Sequence, residues 1–409
     1  MAVAVRIERV SLAAGRFAAG FALDPRLLAM LAVLLAVWVG CDLLTGGLFL
    51  TARNLFNLSL QVAVVGIMAT GMVLVIVARH IDLSVGSQVG VIGVLGALAQ
   101  TAWLTPGAPN TWWLACLAML AAGSLIGAVQ GMLVAYARIP SFVVTLGGLL
   151  FFRNAAYQLN DGKTVAPLDE TFQLLGGGLH GTIGAFWSWA AGLLAVAAIA
   201  WAAAATRRRR LQFGFDVRTP LAGAAQVVGW SAAALGFVAV MNAYKRPGTG
   251  EAMGIAIPVL ILGGVTLLMT ILARRHRFGR HVYAVGGNPE SAELAGIDIR
   301  RVTVKIFAVM GLLCGLASIV ITARLNAGAT ATGTMTELNV IAATVIGGTS
   351  LAGGSGTIYG AVLGAVVMQS LESGMILMGV PSPSQKMVLA VVLILAVWLD
   401  MAWRRRQRP

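Results

Sequence analysis

Twelve apolar runs follow one another along this chain, at residues 27–47, 57–78, 84–103, 112–136, 140–159, 182–205, 221–243, 254–273, 303–323, 338–352, 357–379 and 385–403. Most are close to the ~20 residues a helix needs to cross a bilayer. In hydrocarbon a chain satisfies its own N–H and C=O groups only as a helix or a closed barrel, and runs of this length select helices. Charged residues make up 11% of the sequence, against about 25% in a soluble domain. The expected fold is therefore an all-α polytopic membrane protein with about 10–12 transmembrane segments, some broken or re-entrant. The longest polar connections are about thirty residues, too short for a separate soluble domain. The expected organisation is an N-terminal segment 1–26, one transmembrane domain over 27–403 and a basic tail 404–409.

The net charge of +14 follows topology rather than a nucleic-acid partner. With the N-terminus in the cytoplasm, 22 of the 29 Lys and Arg fall on cytoplasmic connections and ends, as the positive-inside rule requires. The opposite orientation leaves the run Arg207–Arg210 and the basic tail outside, so both termini are expected in the cytoplasm. The first 26 residues lack a compact apolar core with a cleavage site, and the first span is read as an uncleaved anchor. Cys41, Cys116 and Cys314 sit within apolar runs and read as reduced packing residues. Spans 182–205 and 221–243, Ala-rich and joined by the arginine run, read as an extra, peripheral helix pair. The Asn160–Gly181 stretch is expected as an external loop.

Two places break the helical pattern. His80–Ser87 puts Asp82, Ser84 and Ser87 between apolar runs, and two readings fit. Asp82 or Ser84 caps the next helix at the cytoplasmic surface, or a broken helix lines a permeation route beside protein or water. In Val345–Gly364 the section from Gly347, Gly348, Thr349 and Ser350 onward cannot be a plain lipid-facing helix. Gly356, Gly360 and Gly364 then recur every four residues, a spacing that lets another helix approach closely. With Glu337–Val345 this segment is a candidate hairpin that enters from outside and returns. Arg153, Asn154, Gln369 and Glu372 add polarity within spans, where such groups usually face a polar interior. No chain of buried acids and histidines suggests a proton relay.

The stretch Arg274–Lys305 carries a short polar helix between apolar runs. Asn288 suits the N-cap and Pro289 the first helical position, Glu290 and Glu293 favour the positive end, and Gly296 is a stop. Ala292, Leu294 and Ala295 give it a small apolar surface, so it reads either as a solvated turn or as a docking helix gripped by a soluble motor.

Chemistry of its own is hard to assemble from this sequence. Asp161–Thr164 resembles the end of a phosphate loop, but the required first glycine falls at Tyr157. The Gly354–Gly360 run is not a dinucleotide fingerprint. His80, His180, His276 and His281 show no metal-ligand spacing. The chain is expected to be no enzyme, with no cofactor or metal of its own.

The stretches Thr51–Leu58, Gly66–Ser87, Ile139–Asn154, "DGKTVAP", "GRHVYAVGGNPESAELAGIDIRR", "ELNVIAATVIGGTSLAGGSGTIYGAVLGA" and "LAVVLILAVWLD" carry a resemblance. In this order they resemble the permease subunits of sugar-importing ATP-binding-cassette transporters, the ribose, galactose, arabinose and xylose branch. The extra pair over 182–243 is similar to the longer, xylose-type chains. The resemblance implies a bacterial inner-membrane, multi-pass permease domain, and two copies that pair amid membrane lipids. It implies cytoplasmic ATPase subunits that use ATP and Mg, and a periplasmic sugar-binding protein that delivers the sugar. It makes 274–302 the coupling loop, with Gly286 and Gly287 leading into the docking helix, and it leaves Asp82, Ser84, Ser87, Arg153, Asn154 and Gly347–Ser350 as pathway or gate candidates. D-xylose is the expected cargo. An ion-driven sugar carrier, or a scaffold without transport, are the alternatives. One departure stands out: Arg79-His80 precedes Ile-Asp-Leu-Ser where the family favours small, polar or acidic residues, which puts gating and sugar preference in question.

Overall fold

The computed structural model describes residues 25–178, 181–215 and 220–407. Residues 1–24, His180, Arg218 and Arg408 lie outside the described residues, and with them most of the expected N-terminal segment.

The described chain is a succession of helices. In order these are α1 (Pro25–Leu44), α2 (Ala52–Val77), α3 (Val85–Leu98, prolonged by a π-turn over Ala99–Trp103), α4 (Thr111–Ala135) and α5 (Ser141–Asn160). After the short α6 (Glu170–Leu174) come α7 (Gly184–Gln212), α8 (Pro220–Ala243), α9 (Ile257–Arg274), α10 (Arg277–Gly287) and α11 (Pro289–Leu294). The last four are α12 (Ile299–Leu325), α13 (Thr336–Ile346), α14 (Ile358–Leu377) and α15 (Ser382–Gln407). Every one of the twelve apolar runs has its helix, and among the described residues eight helices are long and apolar enough to cross a membrane. The run 338–352 is the exception in length. Its helix α13 has 11 residues, about 16 Å of rise, half of the ~30 Å hydrocarbon core.

The chain divides into two compact units, Met1–Val33 with Ile183–Ile255, and Leu34–Thr182 with Ala256–Pro409. The larger unit is built around α2, whose most apolar stretch is 94% buried. Helices α9, α12, α13 and α14 pack against it. The most extensive contact between two helices is that of α4 with α12. Gly123, Gly127 and Gly131 recur every four residues on α4 and bring its backbone onto that of α12. A Cβ at Gly123 would overlap the Gly311 carbonyl, and one at Gly127 the Phe307 carbonyl. Small residues at this spacing replace side-chain packing with direct backbone contact, the usual way helices associate in lipid.

The pair α13 and α14 uses the same device. A Cβ at Gly360 would overlap the Gly347 carbonyl, and one at Gly364 the Ala343 carbonyl. Gly356 differs from these two. It precedes the Thr357 N-cap of α14 and belongs to the turn, where a Cβ would meet the Thr349 side chain and Val77.

In the smaller unit, α7 and α8 pack through Gly192, beside Val238 and Leu235. The buried Ser188 hydroxyl donates to the Gly184 carbonyl (2.6 Å) and accepts from the Ile255 N–H (2.8 Å). Only 6% and 11% of their apolar windows are buried.

Candidate functional site

The 274–298 connection is more ordered than its sequence implies. His276 Nδ1 accepts from the Phe278 N–H and opens α10, a helix where a basic loop was expected. Gly279, Val282, Val285 and Gly286 lie buried along it at helical spacing, the signal that betrays it. Its chain turns at Asn288, whose side chain accepts from the Ser291 N–H at 3.1 Å and caps α11. Pro289 holds the first position, Glu290 lies in the first turn, and Gly296 leaves the helix with φ +81°. Ala292 is buried, so α11 is seated on its inner side. Leu294 is 90% exposed at its outer side. The next helix is capped at once, Asp298 accepting from the Arg301 N–H and pairing with the Arg301 guanidinium at 2.9 Å.

The foot of this segment is locked to the bundle. Arg79 Nε donates to the Gly286 carbonyl (2.8 Å) and Nη2 to the Gly287 carbonyl (2.7 Å), so a cation closes the C-terminal end of α10. A Cβ at Gly286 would overlap the Val77 carbonyl, and that same carbonyl accepts from the Gly354 N–H at 2.9 Å. The Tyr283 hydroxyl donates to the Gly356 carbonyl at 2.8 Å. Three separate pieces of chain thus meet: the end of α2, the end of α10, and the glycine turn between α13 and α14. The turn reverses through Gly348, Gly353 and Gly354, all with positive φ. Ser350 closes it, its N–H donating to the Ser355 carbonyl and its Oγ accepting from the Ala352 N–H. Thr349 is fully buried beneath. Arg79 itself has φ +67°, a conformation that costs a non-glycine residue about 1–2 kcal/mol.

From Arg79 the chain rises as the irregular link His80–Ser84. Ser141 Oγ, at the start of α5, accepts from the Ile81 N–H, and the Thr145 hydroxyl donates to the Ile81 carbonyl. Ser84 lies beside Gly148, about 10 Å farther along α5. Asp82 is 1% exposed and Ser84 fully buried. Neither residue is therefore a solvent-exposed cap; α3 begins against protein. Asp82 Oδ1 accepts from the Ser84 N–H (2.9 Å) and hydroxyl (2.6 Å). Ser84 Oγ in turn accepts from Gln88 Nε2 (2.8 Å) and Gln130 Nε2 (2.9 Å). Gln88 Nε2 also donates to Gln130 Oε1 at 3.0 Å. Ser87 donates to the Ser84 carbonyl and finishes the turn.

A second polar patch holds the strap 328–335 against α3. Arg153 Nη1 donates to the carbonyls of Thr330 (3.0 Å) and Thr332 (3.1 Å). A Cβ at Gly86 would overlap Gly333 and the Glu337 carboxylate, itself only 6% exposed. Asn154 is not part of it. Its amide donates to the Leu150 carbonyl of its own helix, and the residue is exposed. Gln88, Gln130 and Glu337 were missed as candidates, although polar side chains in apolar runs are the signal that marks them. Farther along, Gln369 and Asn339 both donate to Glu372, which joins α13 to α14. The Asp161–Pro167 segment pairs Val165 with Gly328, while Gln100 accepts from the Asp169 N–H. Its role is to tie α3 and α12, with no phosphate-loop geometry. Among the described residues no three His, Cys, Asp or Glu side chains gather as a metal site.

The arrangement is mechanical: an exposed apolar knob on a capped helix, a rigid foot, and a buried polar link whose irregular backbone is shielded by protein. Comparisons with known proteins find transport-system permeases. Residues 54–397 match the family described as branched-chain amino acid transport system / permease component. The chain is 38% identical over 392 residues to the xylose transport system permease protein XylH of Escherichia coli (strain K12), covering 96% of each. Identity to XylH of Haemophilus influenzae is 37%, over 92% of this chain and 96% of that one. The ribose import permease protein RbsC of Escherichia coli (strain K12) shares 33%, over 86% and 87%. No solved structure matches. With most of its length matched and its helices those of a polytopic membrane protein, the chain belongs to this family of transport-system permease components.

Proposed function

We propose that the chain is the membrane-spanning subunit of an ATP-driven importer of a monosaccharide, D-xylose in the first place, in the bacterial inner membrane. The observation that carries the reading is Leu294, held 90% exposed on a helix capped at both ends. Covering a leucine gains about 1.5–3 kcal/mol, and a stiff helix presenting one is suited to a groove on a soluble partner. A cytoplasmic ATPase fits that partner, because the basic residues of 274–298 favour the cytoplasmic side by the positive-inside rule. The cargo follows from the near-full-length likeness to proteins named for xylose transport. Sugar would arrive from a periplasmic binding protein and pass between two copies of the chain. Replacing Leu294 by Arg is expected to abolish uptake and the recovery of a Walker-motif ATPase in gentle purification, with thermal stability unchanged. Normal uptake by this variant removes the docking role.

One observation favours a second reading. Asp82 and Glu337 are both buried carboxyl groups, which an ion-driven carrier could use. Uptake into vesicles that survives ATP depletion but collapses with an uncoupler would decide for it.

A further inference from the structure

The docking helix and the buried link are joined through one side chain. Arg79 follows the last residues of α2 and precedes His80 directly. Its fork bridges to carbonyls more than two hundred positions away, at Gly286 and Gly287, the two residues immediately before the α11 cap. A Cβ at Gly353 would overlap Arg79 Cγ, so the glycine turn also closes on this side chain. On the other side, the His80 ring lies 5.7 Å from that of Phe307 on α12, and the Phe307 carbonyl rests against Gly127 of α4. A displacement of α10 and α11 would therefore pull on Arg79 and through it on His80–Ser84, alongside the direct contacts of α10 and α11 with α12.

We propose that Arg79 is the positioning residue that passes movement of the α11 docking helix to the buried His80–Ser84 link, so that motor cycles are coupled to opening of the pathway. The inference rests on the importer reading above and deepens it. A simple helix cap accounts less well for the geometry. Capping alone needs one donor, and a lysine at ordinary φ would serve. Here a planar fork reaches two successive carbonyls from a left-handed backbone position that glycine would occupy without strain.

That last point supplies the test. Arg79→Gly removes the fork while relieving the backbone. The permease, purified with its ATPase and reconstituted in proteoliposomes with the sugar-binding protein, is assayed for ATP hydrolysed per xylose imported. The expected result is a variant that melts no lower than the parent and keeps the ATPase in equal amount. It should use about 10-fold more ATP per sugar. An unchanged ratio overturns the proposal. So does loss of the ATPase from the variant, because Arg79 would then hold the docking surface rather than relay its motion. A parent preparation without any ATPase overturns the importer reading and the relay with it. Should Arg79→Gly not accumulate, Arg79→Lys keeps the charge without the fork and is read the same way. An intermediate rise supports the relay and the parental ratio overturns it.

Discussion

Helices α4 and α7 are nearly alike by mean hydropathy, at 1.9 and 1.7, yet they live in different surroundings. On α4 the glycines at 123, 127 and 131 each press against the backbone of α12. In the smaller unit most glycines have open space around them: Gly223, Gly229 and Gly236 on α8 have nothing within 4 Å. The larger unit also buries Asp82, Ser84, Gln88 and Gln130 in one network. The smaller unit buries Ser188 and carries the run Arg207–Arg210 at the α7 end. Hydropathy thus tells that a segment enters the membrane, whereas close-packed glycines and shielded polar groups tell which segments form a working bundle.

The sharpest way to break that contrast is a matched pair of substitutions. Gly127→Leu drives a side chain into the Phe307 carbonyl and is expected to cost 3 kcal/mol or more, about the upper end for overpacking. Its signature is loss of the folded peak in detergent chromatography. Gly236→Leu, in the smaller unit, is expected to change the melting profile by no more than about 0.5 kcal/mol. Equal damage from the two would abolish the distinction. Next in size, Gln130→Leu removes the donor to Ser84 and the acceptor for Gln88. The buried groups left behind should cost about 1–3 kcal/mol, visible as a lower thermal midpoint. A smaller loss than that of Gln130→Leu is expected from Ser188→Ala, which deprives the Ile255 N–H of its acceptor. A loss of about 1 kcal/mol, with uptake retained, would show that the smaller unit is held by a few local bonds.

Much of this architecture was legible in the sequence. Twelve apolar runs gave twelve helices because length and composition leave a membrane chain few options. Asn288, Pro289 and Gly296 took the capping roles their chemistry favours, since these depend only on neighbours. The two breaks were visible as well, though not their depth. What the sequence hid is long-range. The partners of Ser84 come from three helices, and nothing local says that Gln130 rather than lipid faces it. The repeat Gly123–Gly127–Gly131 was as plain as the one noticed near Gly360, but it gains meaning only when Gly311 is seen opposite. Helix α10 was obscured by its arginines, which dominate a segment whose Val282 and Val285 carry the packing. Asn154 shows the converse: a polar residue within a span can satisfy itself on its own helix.

The α4–α12 contact also has a consequence in time. Gly123 and Gly311 stand about 190 residues apart, which a ribosome covers in roughly 10–40 s. Throughout that interval α4 has left the ribosome without the partner that fills its glycine groove, and α7 and α8 are made in between. Assembly of the bundle therefore waits on its ninth apolar run. Until then the grooved face of α4 has no α12 to pack against, and a chain truncated before α12 leaves it without that partner.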